Sequence, residues 1–418
     1  MKEYARLLWR CARVSLIGDW RYYTWMLALS FVALLGLNAW CKQLVDGLAV
    51  TGMTDQVSWG LYIANFTFLV GMAAAAVMVV IPVYVYGRHE LHHLVVFAEL
   101  FAVAAILMCL MFVTADLGRP DRFVHLFERF NFPISMLTWD VVVLNGYLLL
   151  NLHICGYLIY CAYRRRAPGK WFYLPFVIVA IGWAISIHTV TAFLYVGLGG
   201  RPFWNTAIIV PKFLASAFAA GPSFLILTLQ VIKHFTAYDV PRAALRLLQN
   251  IVTIALTIDL FLLGSELFTE FYADSAHVTS AKYLWFGLHG HDALVPWIWT
   301  SLVMSLTAML LLYLPTRRRL GFVNLACVLM IVGIWIEKGM GLVIPAFVPS
   351  PLGELVEYVP TWNETLVCFG VWAAGLLLYT IFVRITIPVL SGQLTYDHDY
   401  RPEDAAVVPS SPAEGTAS

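Results

Sequence analysis

The segment AISIHTVTAFLY (Ala184–Tyr195) is almost wholly apolar, yet it carries His188, Thr191 and Tyr195 at a spacing that sets them along one side of a helix. The apolar segment before it carries Asp140, Leu144, Tyr147 and Asn151, which also share one helical face. If the two segments are antiparallel neighbours, Asp140 and His188 lie at the same depth. A carboxylate, an imidazole and hydroxyls so placed suit proton-coupled exchange with a quinone, whose two carbonyl oxygens accept hydrogen bonds and then protons. Histidine donates and relays protons near neutral pH. A carboxylate partner holds it and restores its proton. A third stripe, Asp259, Glu266 and Glu270, runs down a later segment, and Lys212, Glu337 and Lys338 stand in others.

Each of these groups also has a plainer reading. His188 alone suits a hydrogen bond to a backbone carbonyl. Asp140, following Thr138, suits a helix cap. Lys212 with one glutamate suits a buried structural pair. Three acids on one helix face cannot all be caps.

Positioning these residues requires helices in a membrane. The chain has 418 residues, 61% hydrophobic and 12% charged, about half the charge of an ordinary soluble domain. A crossing needs about 20 apolar residues in a helix. Ten stretches qualify, here called spans one to ten: Tyr23–Leu44, Trp59–Tyr86, Leu94–Ala115, Thr138–Tyr163, Phe172–Gly197, Asn205–His234, Ala244–Tyr272, Leu294–Leu314, Phe322–Ala346 and Thr365–Leu390. The expected fold is an all-α membrane protein with two four-helix bundles, spans two to five and six to nine, and two flanking helices. The matching division is 1–22 interfacial helix, 23–58 first span and outer loop, 59–197 first bundle, 198–346 second bundle, 347–400 outer loop and last span, and 401–418 disordered tail.

Most of the 26 Lys and Arg residues fall on the side that holds both termini, including the runs Arg164–Arg166 and Arg317–Arg319. The positive-inside rule therefore puts both termini in the cytoplasm. Arg6, Arg10 and Arg13 against Leu7, Leu8, Cys11 and Val14 make the N-terminal stretch an amphipathic helix on the inner surface, not a secretory signal. The longer outer loops, 116–137, 273–293 and 345–363, carry Trp, Phe, Pro and acids and suit docking of another subunit. On the inner half, Glu99, Asn151 and His153 are candidate proton carriers, although His153 lies off the Asn151 face.

SWGLYIANFTFLVGMAAAA, with Trp59 near its start, and FWNTAIIVPKFLASAFAAG around Trp204 align without gaps, pairing Phe68 with Phe213 and Gly71 with Ser216. Both enter from the outside, four spans apart, as in a parallel repeat. That pattern, with Pro82, Pro211 and Pro222 in the spans, also admits a secondary transporter. A haem b quinol anchor is the other rival, but His153 and His188 lie at different depths. The seven cysteines form no CxxC, no CxxCH and no zinc spacing, so no c-type haem, iron–sulfur cluster or metal site is expected on this chain.

DLGRPDRF (Asp116–Phe123), followed by NFPISMLTWD (Asn131–Asp140), resembles an outer loop of the NrfD/PsrC family of membrane subunits. SIHTVTAFLY and GGRPFWNTAIIVPKFLASAFAAGP (Gly199–Pro222) resemble its ten-helix branch. The resemblance implies a quinone-reacting subunit of a respiratory oxidoreductase with no redox cofactor of its own. Its substrate would be menaquinone, bound near the outer face in the first bundle. Its partners would be lipid, a periplasmic four-cluster iron–sulfur subunit and, beyond that, molybdopterin-type or multihaem cytochrome subunits, with no nucleic acid. Its place would be the bacterial cytoplasmic membrane. Asp140 and His188 match the polar pocket positions, with Thr191, Tyr195 and Arg119 around the head group. Arg122 and Arg201 lie in the outer motifs. Glu99, Asn151 and His153, or Asp259, Glu266, Glu270, Glu337 and Lys338, are then the candidate proton routes.

Overall fold

The computed structural model describes residues 2–88, 91–236, 238–272 and 278–400. The tail expected to be disordered, 401–418, lies outside these residues, as do His89 and Glu90. Ten helices are long and apolar enough to cross a membrane. They run Trp20–Asp46, Leu61–Tyr84, Leu94–Asp116, Met136–Tyr163, Lys170–Val196, Ile209–Phe235, Arg242–Tyr272, Val295–Tyr313, Leu320–Phe347 and Trp362–Leu390. These are the ten expected spans, with ends moved by a few residues. An even number of crossings returns the chain to the face on which it began, called the terminal face below; the opposite one is the far face.

The spans pack as two groups. Span two lies on three, three on four and four on five; six lies on seven and nine, and eight on nine. Spans one and ten pair with each other, and ten also covers three. Glycine permits the first of these contacts: a Cβ on Gly36 would come within 2.4 Å of the Gly370 Cα, the close approach that small residues allow between membrane helices. The groups meet where span two lies on six and span five on six. There a Cβ on Gly221 would meet the Ala75 side chain at 2.6 Å. Trp59 and Trp204, paired by the sequence repeat, stack at 5.5 Å where these spans begin.

Two spans are irregular inside the bundle. Span two tightens into a 3-10 turn at Ala74–Ala76. Span nine widens into a π-helical turn at Trp335–Met340. Such π turns are often found at functional sites, and here both Glu337 and Lys338 are buried.

The far-face loops are built, as their composition suggests, with short helices at Pro120–Arg122, His125–Glu128 and Pro345–Phe347, and a longer one at Val278–Phe286. On the terminal face the amphipathic helix Lys2–Ser15 is held by protein. Leu7 and Val14 are buried in a cluster with Tyr163, Leu394 and Tyr400. Arg10 reaches Asp399 at 2.7 Å and the Tyr163 hydroxyl at 2.8 Å. Leu8, expected beside Leu7 on the apolar face, points outward with Trp9.

Candidate functional site

Asp140 of span four meets Thr191 of span five, three residues beyond His188 on the same helix. Span four begins at Met136, and Ser135, not Asp140, is its N-cap. Asp140 therefore lies in the second turn, too deep to cap, and its Oδ1 accepts a hydrogen bond from Thr191 Oγ1 of span five at 2.7 Å. The capping alternative is set aside by that geometry. The sequence stripe Asp140, Leu144, Tyr147, Asn151 is buried along its whole length.

His188 is fully buried. Its Nδ1 meets the Ala184 carbonyl oxygen at 2.8 Å on its own helix, so the plainer reading describes one nitrogen correctly. A carbonyl accepts only, so Nδ1 carries the proton. In the neutral ring Nε2 is then a bare acceptor. Nε2 has no hydrogen-bond partner of ordinary geometry, although the Gly71 backbone of span two interacts with the ring. A buried acceptor left open is costly, and here it is the group free to take a proton.

Tyr195 closes the site toward the far face. Thr67 Oγ1 donates to the Ile63 carbonyl at 2.7 Å, which leaves it to accept from the Tyr195 hydroxyl. The Tyr195 ring lies edge-on to Trp59 and Trp204 at 5.6 and 5.1 Å. His188, Thr191 and Tyr195 are each 0% exposed and Asp140 2%. All four side chains are closed to solvent.

Arg119 is not brought to this site. Its guanidinium binds Asp121 at 2.9 Å in the far-face loop, with 66% of the side chain exposed, and holds the Asp121 carboxyl below its usual range. Arg201, half-buried, covers the Phe347 ring at 4.4 Å. Burial pulls its guanidinium below the ordinary range.

Toward the terminal face, Glu99 is buried with Oε2 unpartnered, in electrostatic range of Tyr84 and Tyr147. Asn151 donates to the Tyr147 carbonyl at 2.7 Å. His153, the third candidate proton carrier of the inner half, does not join them. It turns to the rim of spans four and five, where Nε2 meets the Phe172 carbonyl at 3.2 Å and the ring packs on Phe176 at 4.3 Å. A residue two places after the buried Asn151 lies about 200° away on the helix, outside the bundle.

In the second bundle, Lys212 stands between Glu266 and Glu337, 2.6 Å from the latter. It ties spans six, seven and nine, all inside that bundle. Asp259 is 3% exposed and its Oδ1 lacks a partner. Lys338 donates to the Phe213 carbonyl at 3.3 Å and lies 4.3 Å from the centre of that ring. Two small cavities meet at Lys212, Glu337 and Leu342. One reaches Glu270, the other Lys338.

Several residues of this arrangement escape a reading of the sequence. Thr67 reads as one more small residue of span two. Asp116, counted with the outer loop, ends span three instead; its Oδ1 is unpartnered, and it is in electrostatic range of Tyr62 and Tyr195. His92 has its Nε2 3.2 Å from the Tyr84 hydroxyl. Of these, Asp116 alone sits in a motif, DLGRP, that singles it out.

Ten spans with a buried carboxylate, imidazole and hydroxyls among them define a multi-pass membrane protein. Residues 49–348 match the family described as polysulphide reductase, NrfD, and the chain belongs to it. It is 25% identical to a Halobacterium salinarum protein named as a putative dimethyl sulfoxide reductase membrane subunit, over 86% of this chain and 90% of that one. It is 24% identical to a selenate reductase subunit of Mesobacillus selenatarsenatis, covering 89% and 95%. It is 20% identical to the Hdr-like menaquinol oxidoreductase integral membrane subunit of Archaeoglobus fulgidus, covering 87% and 93%.

Proposed function

We propose that this protein is the membrane subunit of a multisubunit reductase and exchanges electrons between an external iron–sulfur subunit and menaquinone. The observation that carries the reading is the buried Asp140–Thr191 hydrogen bond, with His188, whose Nε2 lacks a hydrogen bond of ordinary geometry, one turn before Thr191 on the same helix. These groups offer one proton acceptor for each oxygen of a quinol, or one donor for each oxygen of a quinone when both are protonated. The family and the relatives' names, one of them a menaquinol oxidoreductase, support the assignment.

In this reading both termini are cytoplasmic, in a bacterial inner membrane, and the far face is periplasmic. The built loops there, with Arg119, Arg122 and Arg201, receive a four-cluster iron–sulfur protein. That protein in turn serves a molybdopterin-type or multihaem cytochrome subunit. Protons reach the site from the cytoplasm by way of His92, Tyr84, Glu99, Tyr147 and Asn151. In the second bundle Asp259 and Lys338, outside the Lys212–Glu266–Glu337 triad, offer a second route. Electrons from outside and protons from inside separate charge across the membrane.

The test is His188→Ala in the assembled complex. Quinone-linked turnover is expected to fall at least a hundredfold, about the lower end of a general acid–base contribution, while partner-side activity with an artificial acceptor persists. Unchanged quinone turnover would overturn the assignment. A secondary transporter would elute without partners and show no quinone-dependent reaction.

A further inference from the structure

The interface between the bundles places two basic groups on either side of one glycine. His188 belongs to span five, and Lys338 to span nine, its counterpart in the repeat. Gly71 of span two lies between them. Its backbone interacts with the His188 ring, and a Cβ built on it would come within 3.0 Å of Lys338 Nζ. His188 and Lys338 are in electrostatic range of each other.

Lys338 is 4% exposed, and its ammonium lies against the Phe213 carbonyl and ring. The neighbouring Glu337 is already taken by Lys212. Asp259 of span seven, with Oδ1 open, is in electrostatic range of Lys338. Around Lys338 the titratable groups are therefore Asp259, Glu337, Lys212, Cys109 of span three, and His188. Two proton acceptors, His188 and Asp259, are thus in electrostatic range of the lysine, and two adjacent buried cations are strongly disfavoured.

We propose that His188 and Lys338 share a single positive charge across Gly71, so that a proton reaching His188 drives one from Lys338 onto Asp259, and the reverse. The inference rests on the quinone reading above. In the oxidising direction a quinol gives two electrons to the external partner, one proton to His188 Nε2 and one to the Asp140 carboxylate. The Lys338 ammonium then passes its own proton to the Asp259 carboxylate and becomes neutral. In the reducing direction Asp259 returns that proton to Lys338, and His188 and Asp140 protonate the quinone. Lys338 is thus a positioning residue. It touches no substrate and transmits the chemistry of the first bundle to the second. Gly71 serves the exchange because a side chain there would fill the gap.

The experiment uses the intact complex in liposomes with a menaquinol analogue, and reads turnover against pH for three variants. Lys338→Gln removes the competing charge. The pH limb of turnover that depends on His188 is expected to move upward by about one unit, the displacement that about 1.4 kcal/mol of lost repulsion produces. Lys338→Arg keeps a charge that does not leave. Its limb is expected to move downward, since the repulsion can no longer be relieved, while turnover falls at least tenfold. Gly71→Ala is expected to slow turnover similarly by crowding the Lys338 ammonium. If Lys338→Gln does not assemble, the arginine and alanine variants decide. A Lys338→Gln profile superimposed on the wild type, or wild-type rates in both Lys338→Arg and Gly71→Ala, overturns the proposal. Wild-type complex that does not react with the quinol defeats the functional reading itself, a different result from reactive variants with unchanged profiles.

Discussion

In the first bundle the buried carboxylate Asp140 meets a hydroxyl, Thr191 Oγ1 at 2.7 Å. In the second, Glu266 and Glu337 meet an ammonium, Lys212. Both sites lie in the halves of their bundles nearer the far face and draw on the same depth of membrane. A carboxylate that accepts from a hydroxyl is stabilised without a fixed counter-charge, and it can take and release a proton. A carboxylate pressed against an ammonium is held ionised, because each charge offsets the cost of burying the other. In the proposed function the first bundle carries the exchange. The second carries cohesion, except at Asp259 and Lys338, which stand outside the ion-paired triad.

The largest expected effect tests the exchange role. Asp140→Asn keeps an oxygen to accept from Thr191 but cannot take a proton. Quinone-linked turnover is expected to fall by about 10²–10⁴, the usual contribution of a positioned acid or base. Thermal stability of the purified complex should stay near that of the wild type. Equal losses of turnover and stability would show that Asp140 is structural after all.

The second bundle should answer in the opposite sense. Lys212→Met leaves two buried carboxylates without their cation, at a cost of about 3–5 kcal/mol. A marked fall in Tm is expected. Adding Glu266→Gln and Glu337→Gln to the same variant removes the stranded charges and should restore most of the loss. If the triple variant melts no higher than Lys212→Met alone, the triad is not what binds spans six, seven and nine.

The contrast between the bundles is only half legible in the sequence. The ten spans are, because each is a long apolar run and the basic loops alternate between faces. The stripes through Asp140 and His188 are as well, since helical periodicity survives without knowledge of neighbours. Pairing across helices is not. Nothing in the order of residues says that Lys212 chooses both Glu266 and Glu337, or that Thr67 meets Tyr195. The burial of both Glu337 and Lys338 is equally hidden, because adjacent residues on a regular helix point about 100° apart and nothing in the sequence announces the π turn at Trp335–Met340. His153 misleads for the converse reason. Its position along the span gives its depth in the membrane, but depth does not tell bundle interior from rim.

The smallest effects sharpen the comparison within the first bundle, between two residues that the sequence groups together. Glu99 is 2% exposed and in electrostatic range of Tyr84 and Tyr147, and Tyr84 joins His92 toward the terminal face. If protons enter there, Glu99→Gln breaks the route at its one buried carboxyl group. Turnover should then fall by about tenfold, below the full worth of a catalytic acid or base because a relay member does not touch the substrate. His153 instead sits against Phe172 and Phe176 at the rim. His153→Leu keeps the packing and loses a single hydrogen bond to a backbone carbonyl, worth about 1 kcal/mol, so turnover should remain within about twofold of the wild type. Measured side by side as quinone-linked turnover, a large loss in His153→Leu with none in Glu99→Gln would move the proton route out of the bundle and onto its rim.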